Sequence, residues 1–307
     1  MNRVTRQPVS LGAALGASVA VIALLGGCAT PAAPAATNTA SPSPTASPVS
    51  GSNSTAPERT SKDVVVNGVS IHTECSGPTD SGKPTVMLIT GAMNPLTAMT
   101  DLQDEIAKDT RVCSYDRPGT GDLPAPEQTQ TLQDAAALLH SVTAEIVTSD
   151  SITLAGHSSG GMIAAQYAAD YPDQVASVVL IDATPARAIT EIPTLIPETE
   201  PADEAAGASR AEILSMTSGE NPERMILTGD PLASIGDIPL TVIRHGLDLF
   251  AEIPTYGPQL DEIWVAGQED WLALSTRSNM IVAETSGHYI YDDQLDLVVD
   301  AVVAALG

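Results

Sequence analysis

The chain has 307 residues, with 13 Lys and Arg against 38 Asp and Glu and a formal net charge of −25. So acidic a chain is not built for nucleic acid, whose phosphates are held by clustered Lys and Arg, nor for electrostatic seating on an anionic membrane surface. A solvated acidic surface accounts for the charge without giving it a part in substrate binding.

The N-terminus carries Arg3 and Arg6 ahead of an apolar run, "LGAALGASVAVIALLGG" at 11–27. This is the pattern of an export signal, and it makes only a thin membrane span. "LGGC", Leu25 to Cys28, resembles the lipobox of bacterial lipoproteins. That resemblance implies a signal peptide at 1–27, lipidation of Cys28, and a protein on the outer face of the cell membrane held by its lipid alone. Residues 28–60 are Pro, Ala, Ser and Thr with little to bury, a disordered tether. A single domain is expected over 61–307, long enough for one substantial core. With one Phe in the chain, that core relies on Val, Ile, Leu, Met and Ala. Of the three cysteines, Cys28 is taken by the lipobox. Cys75 and Cys113 are then an even pair in an exported domain, expected to be bridged, with two buried thiols as the alternative.

Residues 63–74 read as a hairpin across Asn67-Gly68. An apolar strand follows at 83–90, then a loop, a helix around 98–108 and a strand at 110–116 closed by "RPGTG". A helix is expected at 131–146, a strand at 151–156, a helix at 159–172 ended near Pro172, and a strand at 175–183. Residues 185–237 break the rhythm with prolines, acidic residues and short helical pieces such as 210–217, and are too long for a plain loop. They read as an inserted cap. A strand at 238–246, a helix at 259–276, a strand at 279–287 and a helix at 294–306 complete the chain. Strands apolar throughout are buried on both faces. The expected architecture is α/β, a mainly parallel sheet with helices on both sides.

Ser158, in "GHSSGG", lies between an apolar strand and a helix that opens with Gly160 and Gly161. A serine at such a junction sits on a sharp turn with its hydroxyl exposed at the sheet edge and helix dipoles aimed at it. It needs a base. Of the histidines at 72, 140, 157, 245 and 288, His288 follows the last strand, and the C-terminal ends of parallel strands gather at one edge. His288 is the expected base, with His245 as a rival. For the acid, Asp182 closes the apolar strand "VVLID", an anomaly that calls for a partner. Asp248 is the alternative, and Asp270 reads as a surface position. An oxyanion would be held by the backbone N–H of Ser159 and by one from the loop after 83–90, at Ala92 or Met93, with Ala92 preferred. Trp264 and Trp271 read as core packing.

Cys75, "CSYDRPGTGD" (113–122), "GHSSGG" (156–161) and "SGHYI" (286–290) together resemble the α/β-hydrolase fold superfamily, in particular its exported actinobacterial-type serine hydrolases. The resemblance spans 61–307. It implies Ser158 as nucleophile, His288 as base and a Cys75–Cys113 disulfide. The acid usually follows the strand matched here to 238–246, but this chain has only Gly246-Leu247-Asp248 there, which favours Asp182. Asp122 replaces a usual serine, and Asp116 and Arg117 read as loop braces. No cofactor and no metal are expected: phosphate-loop, metal-ligand and dinucleotide fingerprints are missing from the sequence. The expected activity is hydrolysis of a small carboxylic ester through an acyl-enzyme. A peptidase or amidase on the same triad, and a non-catalytic binding module on this scaffold, are the alternatives.

Overall fold

A computed structural model of the chain describes residues 58–198 and 204–307. The expected signal peptide, Cys28 and most of the tether lie outside the described residues. Strands β1 (Arg59–Val66) and β2 (Val69–Ser76) form the expected hairpin. Asn67 and Gly68 turn it with positive φ of 50° and 82°, as a tight turn matched to strand twist requires. The first strand begins at Arg59, two residues inside the expected tether, because the Arg59 guanidinium is anchored to Glu74 at 2.9 Å and to Asp104.

β3 (Thr85–Ile89) leads through a 3-10 turn at Leu96–Met99 into α1 (Thr100–Ile106), then β4 (Val112–Tyr115). A two-residue strand β5 (Gln130–Thr131) precedes α2 (Leu132–Ile146), which Thr131 and Asp134 close with a reciprocal capping box. β6 (Ile152–His157), α3 (Ser159–Asp170) and β7 (Val175–Ile181) follow. The inserted cap holds α4 (Ala186–Leu195), α5 (Glu204–Ser218) and the short β8 (Met225–Ile226). β9 (Leu240–His245), α6 (Gly257–Trp271), β10 (Ser278–Ala283), α7 (Ile290–Asp293) and α8 (Leu295–Ala304) end the fold. Among the described residues no helix is long and apolar enough to cross a membrane.

The eight-stranded sheet runs β1-β2-β4-β3-β6-β7-β9-β10, with β5 and β8 as a separate parallel pair. The β1–β2 and β2–β4 pairs are antiparallel and the remaining pairs of the large sheet parallel. Both faces are covered. In β3, Met87 and Ile89 enter a core shared with α2 and α3, while Val86 and Leu88 enter one shared with α1 and α8. That alternation is why β3 is apolar at nearly every position. Cys75 and Cys113 face each other across the β2–β4 register and form a disulfide.

Three expected elements differ in extent. The strand expected at 279–287 stops at Ala283, where the chain turns and Ser286 N–H bonds back to Ala283. The helix expected at 259–276 ends at Trp271 and continues as a 3-10 turn through Leu274. The cap helix legible at 210–217 extends from Glu204 to Ser218, its N-terminal half being Ala-rich with weak periodicity.

Candidate active site

Strand β6 ends at His157, and α3 starts at Ser159. Between them Ser158 takes φ 53° and ψ −125°, a conformation non-glycine residues rarely adopt. The turn fits because its neighbours are glycines. A Cβ on Gly160 would stand 2.3 Å from the Ile89 carbonyl oxygen, and one on Gly156 would stand 2.4 Å from that of Gly160. Gly91 has a related role. A Cβ there would meet His157 Nδ1 at 3.0 Å and Ser158 Cβ at 3.2 Å. Its φ is not positive, so the sequence needs glycine at 91 for close approach and not for a left-handed turn.

Asp182 follows β7 with φ 43° and is fully buried. Its Oδ2 lies 2.6 Å from His288 Nδ1. Its Oδ1 lies 2.9 Å from His245 Nδ1 and accepts the His245 backbone N–H at 3.2 Å. Burial alone would raise this carboxyl. The hydrogen bonds from His245 and His288 and the attraction of both rings overcome burial and hold it far below the usual carboxylate range. Asp248 is exposed and accepts the Phe250 N–H at 3.0 Å in a local turn. Asp270 is on the surface, bonded to Arg187 at 2.9 and 3.0 Å. The fold thus brings Asp182 to His288 and leaves Asp248 and Asp270 apart.

His288 sits in the loop between β10 and α7. Its carbonyl accepts a hydrogen bond of 3.0 Å from His157 Nε2, so the residue before Ser158 steadies the backbone that carries the imidazole. Burial, then the neighbouring His288 ring, push His157 down to about 3, which keeps it neutral. Trp264 packs edge-on against His288, ring centroids 5.3 Å apart. Both tryptophans are core packing, as expected: Trp264 in the cluster that α6 shares with the cap helices, where it also touches His288, and Trp271 in the main core. The Ser158 hydroxyl lies 3.2 Å from Thr184 Oγ1, and Thr184 N–H bonds the Ser158 carbonyl at 3.0 Å. Among the described residues no hydrogen bond joins Ser158 to His288. In the absence of substrate such bonds are often long and tighten only in the complex.

The loop after β3 carries Ala92 and Met93. Met93 has φ 62°, and its N–H donates to Glu223 Oε1 at 2.6 Å, so it is not free to meet an oxyanion. No protein acceptor takes the Ala92 N–H among the described residues. Arg117 holds this loop from beneath, donating to the Gly91 carbonyl at 2.7 Å and the Thr90 carbonyl at 2.9 Å. The guanidinium pairs with Glu223 at 2.6 Å, both side chains almost wholly buried. Asp116 accepts the Leu96 N–H at 2.7 Å. Both motif residues brace loops. A cavity of about 20 Å³ is lined by Ala92, Met93 and Ser159 from the core and Met216, Met225 and Leu227 from the cap.

Glu223, Thr184, His157 and Asp261 are the partners that sequence reasoning missed. A sequence signal exists for His157 alone, as the residue next to the serine. Glu223 and Asp261 are two acidic residues among 38, and only the fold distinguishes them.

A family model described as the alpha/beta hydrolase fold matches residues 84–214. A solved membrane phospholipase A, a bacterial virulence factor, is 20% identical with a TM-score of 0.56, over 81% of this chain and 86% of that one. The structure of VinJ is 16% identical with a TM-score of 0.60, over 82% of this chain and 100% of that one. An uncharacterized protein of Schizosaccharomyces pombe is 27% identical over 141 residues, which is 37% of this chain and 26% of that protein's length. The sheet order, the inserted helical cap and these likenesses give the chain the α/β-hydrolase fold.

Proposed function

We propose that this chain is a serine hydrolase that cleaves carboxylic esters of small molecules through an acyl-enzyme. The observation that carries the proposal is the strained Ser158 at a strand–helix junction beside a buried Asp182 that holds His288 Nδ1 at 2.6 Å. The phospholipase likeness is to an ester hydrolase by name, which favours ester over amide.

In the mechanism His288 Nε2 takes the proton of Ser158 as its Oγ attacks the ester carbonyl. Asp182 accepts from His288 Nδ1–H. That fixes the tautomer that leaves Nε2 as the base and stabilises the imidazolium that forms. The oxyanion is held by the N–H groups of Ser159, at the start of α3, and Ala92. His288 returns its proton to the leaving alcohol, which departs to leave the acyl group on Ser158. Water, deprotonated by His288, attacks the acyl carbon, and the carboxylic acid is released as Ser158 recovers its proton. Beside Ala92 and Ser159 the cap leaves only about 20 Å³ under Met216, Met225 and Leu227, room for about one water-sized group, so the reading favours short acyl chains over long ones.

The test is turnover of p-nitrophenyl acetate, butyrate and palmitate by the purified protein beside Ser158→Ala. Acetate and butyrate are expected to exceed palmitate by about tenfold or more in kcat/KM, with all turnover lost in the variant. No turnover of any ester overturns the ester assignment. The export signal and Cys28 belong to the same proposal: a lipid-anchored protein on the outer face of the cell membrane. Cys28→Ala is expected to move the protein from the membrane fraction to the soluble one.

A further inference from the structure

Asp182 continues the sheet in an unusual way. The parallel ladder between β7 and β9 ends with Asp182 N–H donating to the Ile243 carbonyl at 2.7 Å. With φ at 43°, Asp182 departs from the extended backbone of β7. The next rung, the His245 N–H, is taken instead by the side-chain Oδ1. The imidazole of the same His245 then adds a second donor to the same oxygen. Two donors from one residue fix the carboxylate's rotation, and its other oxygen is left to His288.

His245 is held in turn. Its Nε2 lies 3.3 Å from Asp261 Oδ1 on α6, and that oxygen also accepts the Leu249 N–H at 3.0 Å. The ring is 1% exposed. A carboxylate accepts but cannot donate, so a ring that bonds to carboxylates through both nitrogens carries a proton on each. Burial opposes that charge, but Asp182 and Asp261 outweigh it and raise His245 above the ordinary histidine value. The charged groups around it are Asp182 from the end of β7, Asp261 from α6, His288 beyond Asp182, and Arg244 on its own strand, which donates to the His245 carbonyl at 2.8 Å.

We infer that His245, backed by Asp261, is a positioning residue that orients the Asp182 carboxylate for His288. The inference rests on the proposed roles of Ser158, His288 and Asp182. His245 touches no substrate. It acts by holding one oxygen of the acid and by placing a positive charge beside it, which limits how strongly Asp182 favours a protonated His288.

Two variants of the full chain test this. His245→Leu removes the ring donor and the charge and leaves only the backbone N–H on Asp182 Oδ1. His245→Asn keeps a side-chain nitrogen two bonds from Cβ, where the histidine has Nδ1, and so keeps the donor while losing the charge. With p-nitrophenyl butyrate, His245→Leu is expected to lower kcat about tenfold or more with KM within about twofold, and His245→Asn to recover to within about threefold of the native kcat. Without the positive charge, Asp182 holds the His288 proton more firmly. The acidic limb of kcat/KM in His245→Asn therefore moves to higher pH by about half a unit or more. The downfield proton resonance of the His288–Asp182 hydrogen bond is expected to shift or broaden in His245→Leu. Native kcat and an unmoved resonance in His245→Leu, or an unmoved acidic limb in His245→Asn, overturn the inference. If His245→Leu does not fold, the limb in His245→Asn decides. A native chain that turns over no ester defeats the functional proposal instead, and the proton resonance still decides the role of His245.

Discussion

On one side of Ser158 the Ala92 loop is held by Arg117 and Glu223, and on the other Asp182 is held by His245 and Asp261. Both arms use buried charges to fix a group that the proposed chemistry needs, and both draw one partner from outside the main sheet: Glu223 from the cap and Asp261 from α6. Their chemistry differs. A guanidinium keeps its charge at any working pH, whereas an imidazole does not. The arm that carries the proposed oxyanion donor is therefore a permanent brace. The acid arm responds to pH. The backbone records the same division of labour. Five described non-glycine residues have positive φ, and three of them, Met93, Ser158 and Asp182, belong to these arms and the serine between them. Such conformations cost free energy and persist where the surroundings over-determine them.

The largest effect is expected at the proposed acid itself. Asp182→Asn leaves the shape but presents the wrong hydrogen-bonding face to His288, and kcat is expected to fall about 10⁴-fold. Steady-state kinetics beside Asp248→Asn, expected to stay within about twofold of native, separates the two carboxylates. Next comes the oxyanion arm. Glu223→Gln leaves Arg117 without its counter-charge and loosens the Met93 N–H bond. Misplacing one oxyanion donor is worth about 10² in kcat, with KM little changed. Leaving a buried charge unpaired also costs about 3–5 kcal/mol of stability, measurable by urea unfolding. If Glu223→Gln changed the pH profile as His245→Asn is expected to, the contrast between the arms would be wrong.

Stability against pH sharpens the contrast further. His157 is lowered to about 3 in the fold, so its contribution is whole above its unfolded value of about 6.5 and is lost as pH falls toward 3. His245 is raised, so its contribution is whole below about 6.5 and is lost as pH rises through its folded value. Thermal melts at stepped pH are expected to show loss on both sides, with the acid-side loss reduced in His157→Gln. The smallest effect on activity is expected far from both arms. Replacing Cys75 and Cys113 by Ala lowers stability by about 2–4 kcal/mol while leaving kcat/KM close to native, because the bridge joins β2 to β4 away from Ser158.

The sheet was legible in the sequence because its strands are buried on both faces and apolar nearly throughout, as "VVLI" before Asp182 and "VMLI" before Thr90 are. Ser158 could be singled out because it follows an apolar strand directly and precedes Gly160 and Gly161, and His288 because it lies in the loop after the last strand. Asp182 could be favoured over Asp248 because a carboxylate ending an apolar strand is costly without a partner. What escaped was whatever depends on two distant segments meeting. Glu223 reaches Arg117 across 106 positions, and Asp261 reaches His245 only once α6 has packed beside β9. The pair β5–β8 escaped for a related reason: two residues carry no period. His245 was weighed as a rival base, yet its place is on the far oxygen of the acid, which strand position alone could not distinguish.

The most direct measurement is the rate and site of covalent labelling by a fluorophosphonate, followed by mass spectrometry in the native chain, Asp182→Asn and Asp248→Asn. A single adduct on Ser158, formed at the native rate in Asp248→Asn and about a hundredfold or more slower in Asp182→Asn, is the predicted result. Absence of label, label on another residue, or slowing in Asp248→Asn in place of Asp182→Asn would contradict the account.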